Sequence, residues 1–188
     1  MKRKIGPIGA VLVLVLAVIE IIGARGGDSI AATQQSAVNG ATAEVLGVYF
    51  TPPAGAAQAI VRAIDESQRE VLVQAYGFTH NAIAQALLRA QARGVQVRVV
   101  LDEKSDNTNR YVIGLFEQAQ LPVGHDGRHA IAHNKVMVID EQVVITGSFN
   151  FTNSAETRNA ENFLILKSSD LAKTYKSQWQ THWEHSRR

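Results

Sequence analysis

Two side chains that could bind or attack an anion stand two positions apart in an otherwise apolar run, AHNKVMVID (132–140): His133 and Lys135. The run has the character of a β-strand, in which side chains at i and i+2 point to the same face. An imidazole and an ammonium placed side by side repel each other when both are charged, so folding alone gives no reason to pair them. We therefore expect this face to be open to water or to hold an anion between the two groups.

A second polar pair follows the next apolar run. The peptide GSFN comes directly after the β run 143–146, and Ser148 and Asn150 again share a face by the period of two. The polar residues 140–142 between the two runs indicate a hairpin, which would bring both pairs onto one patch. Glu161 stands at the start of the next predicted strand and adds a carboxylate.

This set of side chains is suited to chemistry at phosphorus. A histidine can attack phosphorus and form a covalent intermediate. A carboxylate can hydrogen-bond one imidazole nitrogen and fix the tautomer of the ring. A fixed cation and neutral donors stabilise the charge that builds on phosphate oxygens in a transition state. One candidate of each kind is present: His133, Glu161, Lys135, and the donors Ser148 and Asn150.

The spacing of these residues resembles the HKD signature of the phospholipase D superfamily. The matching pattern is His133-x-Lys135-x4-Asp140-x6-Gly147-Ser148-x-Asn150. The wider segment ITGSFNFTNSAETRNAENFLIL (145–166) looks most like the small bacterial endonucleases of that superfamily, and the resemblance covers roughly residues 44–186. It implies that His133 is the nucleophile, that Lys135 and Asn150 bind phosphate with Ser148 beside them, and that Glu161 orients the histidine.

Two further motif positions are interpreted as structural. Asp140 matches the third letter of the motif but lies an odd number of positions from His133, which places it on the opposite face of a strand. Gly147 is the motif glycine. Three residues near the motif have open roles: His125 and His129, which flank a glycine in a predicted loop, and Arg158, which could contact phosphate.

The surrounding pattern alternates short β runs with helical periods, which predicts an α/β layered sheet with an antiparallel element. The resemblance implies the phospholipase D-like fold, a mixed sheet with helices on both faces and one HKD motif per chain. Strands are predicted at 44–50, 70–76, 95–101, 132–139, 143–146 and 160–166. Helices are predicted after Pro52-Pro53 and at 79–93, 105–118 and 169–183.

The N-terminal segment has the layout of a targeting sequence. Lys2, Arg3 and Lys4 precede a nearly continuous apolar stretch, residues 5–22. We interpret residues 1–31 as a signal peptide for export to the periplasm or the medium of a bacterial cell. The alternative is an uncleaved anchor through residues 5–22, which would place the protein at a membrane. Residues 32–43 are expected to be a linker, and residues 44–188 the nuclease-like domain.

Composition bounds the partners and cofactors. Four of the 19 basic and two of the 17 acidic residues lie within residues 1–31, so the remainder carries 15 of each sign and is formally neutral. Any anion site must therefore be a local arrangement. The chain has no cysteine, which excludes disulfides and thiolate zinc sites. Finding neither a carboxylate cluster nor a cysteine set, we expect no cofactor and no metal, and hence metal-independent catalysis.

Three functions are compatible with these observations. The first is a phosphodiesterase that cuts nucleic acid, DNA before RNA, through a phosphohistidine. The second is the same chemistry on a phospholipid head group, and the third is a catalytically inactive nucleic-acid-binding module. The chain shows one motif copy and no internal repeat, whereas a two-step displacement needs a second acid–base group. We therefore expect a homodimer that shares one active site.

Overall fold

The computed structural model describes residues 40–53 and 55–188. Seven strands are β1 (Glu44–Thr51), β2 (Glu70–Ala75), β3 (Gln96–Asp102), β4 (Val123–Asp126), β5 (Lys135–Ile139), β6 (Val143–Gly147) and β7 (Glu161–Lys167). Five helices are α1 (Ala56–Asp65), α2 (Asn81–Ala92), α3 (Asp106–Gln118), α4 (Asn153–Thr157) and α5 (Ser169–His185). The proposed signal peptide or anchor, and most of the linker, lie outside the described residues. Among the described helices, none is both long enough and apolar enough to cross a membrane.

All seven strands form one mixed sheet in the order β1-β7-β6-β5-β2-β3-β4. β2, β3 and β4 run parallel to one another. β5 returns antiparallel beside β2 and begins the antiparallel half of the sheet, through β6 and β7 to β1. The predicted hairpin is thus the pair β5–β6, and the predicted mixed α/β fold is confirmed.

Period-two alternation divides the sheet into two buried faces. One face packs against α1, α2 and α3 through side chains such as Val73, Val99 and Met137. The other face packs against α5, where Leu72, Val100 and Val138 surround the buried Trp179. Because both faces of the central strands are covered, β2 and β3 are mostly apolar, with Gln74 and Arg98 as interior exceptions. This burial fixes the register of the strands whose ends carry the polar residues.

Three local features differ from the predicted elements. β4 falls where a loop was predicted, because VGHD offers too few apolar positions for a strand period to show. α4 has only five residues, too few for a helical period. His133 and Asn134 precede β5 instead of lying within a strand from 132 to 139, although the Asn134 carbonyl still accepts a hydrogen bond from the Tyr76 N–H at 3.0 Å.

One end of the sheet collects the candidate residues. β5 starts opposite the end of β2, where Lys135 pairs with Ala75. β6 ends beside the start of β7, where Gly147 pairs with Phe163. His133, Ser148 and Glu161 therefore all project from the same end of adjacent strands.

Candidate active site

The imidazole of His133 is exposed at this end of the sheet and rests on a tyrosine. Its ring meets the ring of Tyr76 edge to face, with centroids 4.7 Å apart. Within residues 40–53 and 55–188, neither ring nitrogen of His133 makes a hydrogen bond. The imidazole therefore has a packed edge that limits its orientation and nitrogens that are open to a substrate.

Tyr76 is itself held by a buried asparagine that sequence reasoning missed. Asn109 on α3 is fully buried, and its amide donates to the Tyr76 carbonyl at 2.9 Å and accepts from the Phe78 N–H at 2.7 Å. These two hydrogen bonds fix the segment that follows β2. Asn109 thus positions the aromatic ring against which His133 packs.

Lys135 is buried, with 8% of its surface exposed. Its ammonium donates to the backbone carbonyl of His133 at 2.8 Å and lies 5.3 Å from the centroid of the Tyr76 ring. Burial lowers the pKa of Lys135, and the negative charge of Glu161 partly counteracts this. The cation is thus fixed next to the main chain of the candidate nucleophile.

Glu161 is held by neutral donors. The Ser148 hydroxyl donates to one carboxylate oxygen at 2.6 Å, and the Asn159 amide donates to the other at 3.1 Å. The Asn162 N–H in turn donates to the Ser148 oxygen at 3.1 Å. Within the described chain, Glu161 therefore contacts Ser148 and not the imidazole of His133, so its orienting role stays a prediction. Ser148, predicted beside the phosphate ligands, here holds Glu161 in place.

Asn150 is oriented by the loop after β2. Its side-chain oxygen accepts a hydrogen bond from the Gly77 N–H at 3.3 Å. A side chain at Gly77 would crowd this contact, because an added Cβ would lie 3.4 Å from that oxygen and 3.3 Å from the Thr152 methyl. With the oxygen engaged, the amide NH₂ of Asn150 points away from Gly77 and is available to donate to a phosphate oxygen.

Asp140 and Gly147, the two motif residues interpreted as structural, contact the backbone of neighbouring elements. The Asp140 carboxylate accepts hydrogen bonds from three consecutive N–H groups, those of residues 68–70, at 2.7–3.0 Å. It thereby ties the β5–β6 turn to the start of β2, far from His133. At Gly147 an added Cβ would lie 2.6 Å from the Cα of Phe163 and closer still to the carbonyl oxygen of Asn162, so only glycine fits between β6 and β7.

The three residues with open roles lie in different places. Arg158 follows α4 and is exposed near the start of β7. His125 lies within β4, not in a loop as predicted, and its Nδ1 is 2.7 Å from an oxygen of Asp106. His129 lies in the loop after β4 and faces Asp126 at 3.2 Å.

Sequence reasoning overlooked a set of residues that could hold a metal ion. One ligand atom from each of Asp126, His129, His182 and His185 lies within 4.8 Å of the others. The set does not show as a cluster in the sequence, because two pairs 56 residues apart supply its members. The available signal was their spacing, Asp-x-x-His and His-x-x-His.

Comparisons with known proteins agree with this geometry. A family model described as "Cardiolipin synthase, PLD-like domain" matches residues 60–183. A protein named phospholipase D from Rickettsia prowazekii is 45% identical over 130 residues, which cover 69% of this chain and 63% of that protein. A mitochondrial cardiolipin hydrolase from Xenopus tropicalis is 33% identical over 63% of this chain and 56% of that protein. This chain thus spans less than two thirds of the length of these curated relatives.

A solved structure shows the same fold. The crystal structure of Nuc, a phospholipase D family member from Salmonella typhimurium, matches with a TM-score of 0.74 and 33% identity. The match covers 78% of this chain and 97% of that chain. The family model, which matches residues 60–183, spans every residue of the His133 motif. Sequence, fold and site together place this chain in the phospholipase D superfamily.

Proposed function

We propose that the protein is a phosphodiesterase that cuts nucleic acid, DNA in the first place, through a phosphohistidine intermediate. The imidazole of His133 attacks phosphorus, a P–N bond forms, and the P–O bond to the leaving alcohol breaks as that oxygen takes up a proton. Water then attacks phosphorus, the P–N bond breaks, and His133 is regenerated. Lys135 and Asn150 bind the phosphate oxygens whose charge grows in both steps.

We base the choice of nucleic acid on exposed basic side chains in the segments that flank this site. Arg158 is exposed, three residues before Glu161. Lys104 is exposed and donates from its ammonium to the Ala130 carbonyl at 2.6 Å, three residues before His133. Exposed cations on both flanking segments suit a polymer with a phosphate at every unit, whereas a single head group needs only the central one. The likeness of the motif segment to small bacterial endonucleases supports the same choice.

A second candidate is hydrolysis of a phospholipid head group. Two observations favour it: the curated relatives are named phospholipase D and cardiolipin hydrolase, and exposed apolar side chains line β1 beside the site. The chemistry at phosphorus is the same for both substrates. Only the surface around His133 distinguishes them.

We also propose that the active protein is a homodimer and that it is exported after cleavage near Ala32. The dimer supplies the second histidine that protonates the leaving oxygen. Export rests on the composition of residues 1–31 alone. N-terminal sequencing of the mature protein tests it, and an intact Met1 on membrane-bound protein would favour the anchor.

The substrate is tested by offering both classes to the same preparation. Supercoiled plasmid and phosphatidylcholine vesicles are incubated with the full chain and, in parallel, with His133→Asn as the inactive control. We expect plasmid nicking by the wild type alone and no release of choline. Choline release without nicking would replace the nucleic-acid proposal with the lipid one.

Equal nicking rates with and without added magnesium are expected, since protein groups bind the phosphate.

A further inference from the structure

A cluster of three histidines and one aspartate lies at the far edge of the sheet from β1. Asp126 ends β4, and His129 follows it by three residues in the loop. His182 and His185 lie three apart in the last turns of α5, so both face the end of β4. β4 is three strands from β5, which puts the cluster about 14 Å from the start of β5. It is therefore separate from the His133 site.

The four side chains converge on one buried carboxylate. Asp126 has no exposed surface, and His182 is buried. His182 Nδ1 lies 2.6 Å from one oxygen of Asp126, His129 Nδ1 lies 3.2 Å from the same oxygen, and His185 Nε2 lies 3.0 Å from the other. The imidazole centroids are 4.9–5.4 Å apart. If all three imidazoles were protonated, the single carboxylate could neutralise only one of their three positive charges. The three rings therefore bring several nitrogen atoms together around one anion.

The composition and dimensions of the cluster fit a tetrahedral zinc ion. Zinc in proteins takes four ligands from histidine nitrogen and carboxylate oxygen at about 2.0–2.2 Å, so neighbouring ligand atoms stand about 3.3 Å apart. The four ligand atoms here lie within 4.8 Å of one another, which is near that spacing.

We propose that Asp126, His129, His182 and His185 bind one zinc ion in a closed structural site. Four protein ligands leave no position for a substrate, which is typical of structural and not of catalytic zinc. The ion would join α5 to the loop from Asp126 to His133. That loop is held at its other end by Asp102, which accepts the Ala132 N–H at 2.8 Å. Zinc would thus stabilise the segment that presents His133 without touching the phosphate.

Zinc content tests the proposal directly. The full chain, without a histidine tag, is purified from zinc-supplemented medium, and bound metals are measured by mass spectrometry. We expect about one zinc ion per chain in the wild type. His182→Asn should lose it, because the asparagine amide can still donate to Asp126 but ligates zinc poorly. His125→Asn is the matched control, since His125 lies on the same strand as Asp126 but pairs with Asp106, and it should keep its zinc.

Thermal unfolding provides a readout that is independent of catalysis. After chelation, zinc at 100 times its Kd should raise the Tm of the wild type by about 5–10 °C, and magnesium should not. His129→Asn, at the most exposed of the four positions, should fold and show a much smaller rise. The proposal would be overturned if the wild type were purified without zinc and its Tm did not change on addition of zinc. It would also be overturned if His182→Asn kept the zinc content of the wild type. Either result would mean that the four residues form a hydrogen-bonded cluster that binds no zinc.

Discussion

Lys135 lies in a buried position, and burial disfavours the charged form of its side chain. Its ammonium is fixed between the carbonyl of His133 and the face of Tyr76, and its pKa is lowered by burial and partly restored by Glu161. A cation fixed in this way costs little reorganisation when a phosphate arrives. The same position makes its charge sensitive to pH and to Glu161.

As the pH rises, activity should therefore begin to fall at a lower pH than it would if Lys135 had the pKa of an ordinary lysine. A lowered pKa means that Lys135 is charged below that pKa and loses its proton as the pH rises through it. In Glu161→Gln the counteracting charge is gone, so the alkaline limb of kcat/KM should move to still lower pH. Lys135→Arg, which stays charged throughout, should lose this limb. An alkaline limb that is identical in wild type and Glu161→Gln would contradict the assignment.

Replacing the nucleophile should separate chemistry from binding. His133→Asn should lower kcat by about 10⁴-fold or more, while substrate affinity is retained because Lys135 and Asn150 remain. Glu161→Gln should retain partial activity, about 10²-fold below the wild type, since Glu161 does not react. Single-turnover kinetics and a binding titration measure the two effects. A covalent phospho-enzyme in His133→Asn would show that another residue is the nucleophile.

The junction of β6 and β7 depends on a glycine. At Gly147 the backbone of β7 lies so close that any side chain would push the two strands apart, and these strands carry Ser148 and Glu161. Gly147→Ala should lower the free energy of unfolding by about 1–3 kcal/mol. It should also reduce activity, because the Ser148–Glu161 contact spans the two strands.

Gly114→Ala is the matched control in the same chain. Gly114 is exposed in α3, and an added Cβ there meets no atom within 4 Å. Alanine should raise the free energy of unfolding by about 0.5–1 kcal/mol through its higher helix propensity. Urea denaturation of both variants measures the difference. Equal changes at the two positions would show that the close approach at Gly147 does not limit stability.

The elements that the sequence predicted are those with enough residues to show a period. β2 and β3 are mostly apolar strands of six and seven residues, and α2 places Ile83, Leu87 and Ala90 on one buried face. β4 and α4 have only four and five residues, so their structure depends on neighbours in the fold. Long-range pairing likewise decides that Glu161 meets Ser148. The sequence therefore predicted which side chains gather at one end of the sheet but not their hydrogen-bond partners.

One face of the sheet is incompletely covered by the part of the chain that the structure describes, residues 40–53 and 55–188. α5 packs over the central strands, whereas β1 carries exposed apolar side chains, namely Val45, Leu46, Val48 and Phe50. Phe50 is 67% exposed and pairs across the sheet with Asn162, the neighbour of Glu161. An exposed apolar strip that ends beside an open active site is a surface on which a partner can bury area and reach the site at once.

We propose, on chemical grounds, that this partner is a second copy of the chain. Among the described residues, the candidate site has one imidazole, that of His133. Once this imidazole is bonded to phosphorus, it cannot also protonate the leaving oxygen and then activate water. A two-fold axis beside the site would bring a second His133 to face the first, with the shared phosphate among the cations of both chains. Lys135 and His133 would then stand together because an anion lies between them. One composite site per dimer follows.

Mixed dimers test this arrangement. Wild-type and His133→Asn chains are unfolded, mixed and refolded together, so that chains exchange partners at random. Activity per wild-type chain should fall in proportion to the fraction of mutant chains, because a heterodimer has one histidine where two are needed. Phe50→Ser, on the apolar strip, should shift the protein towards monomer in sedimentation and lose activity at the same concentrations. A monomeric wild type with full activity would show instead that one chain supplies both the nucleophile and the acid.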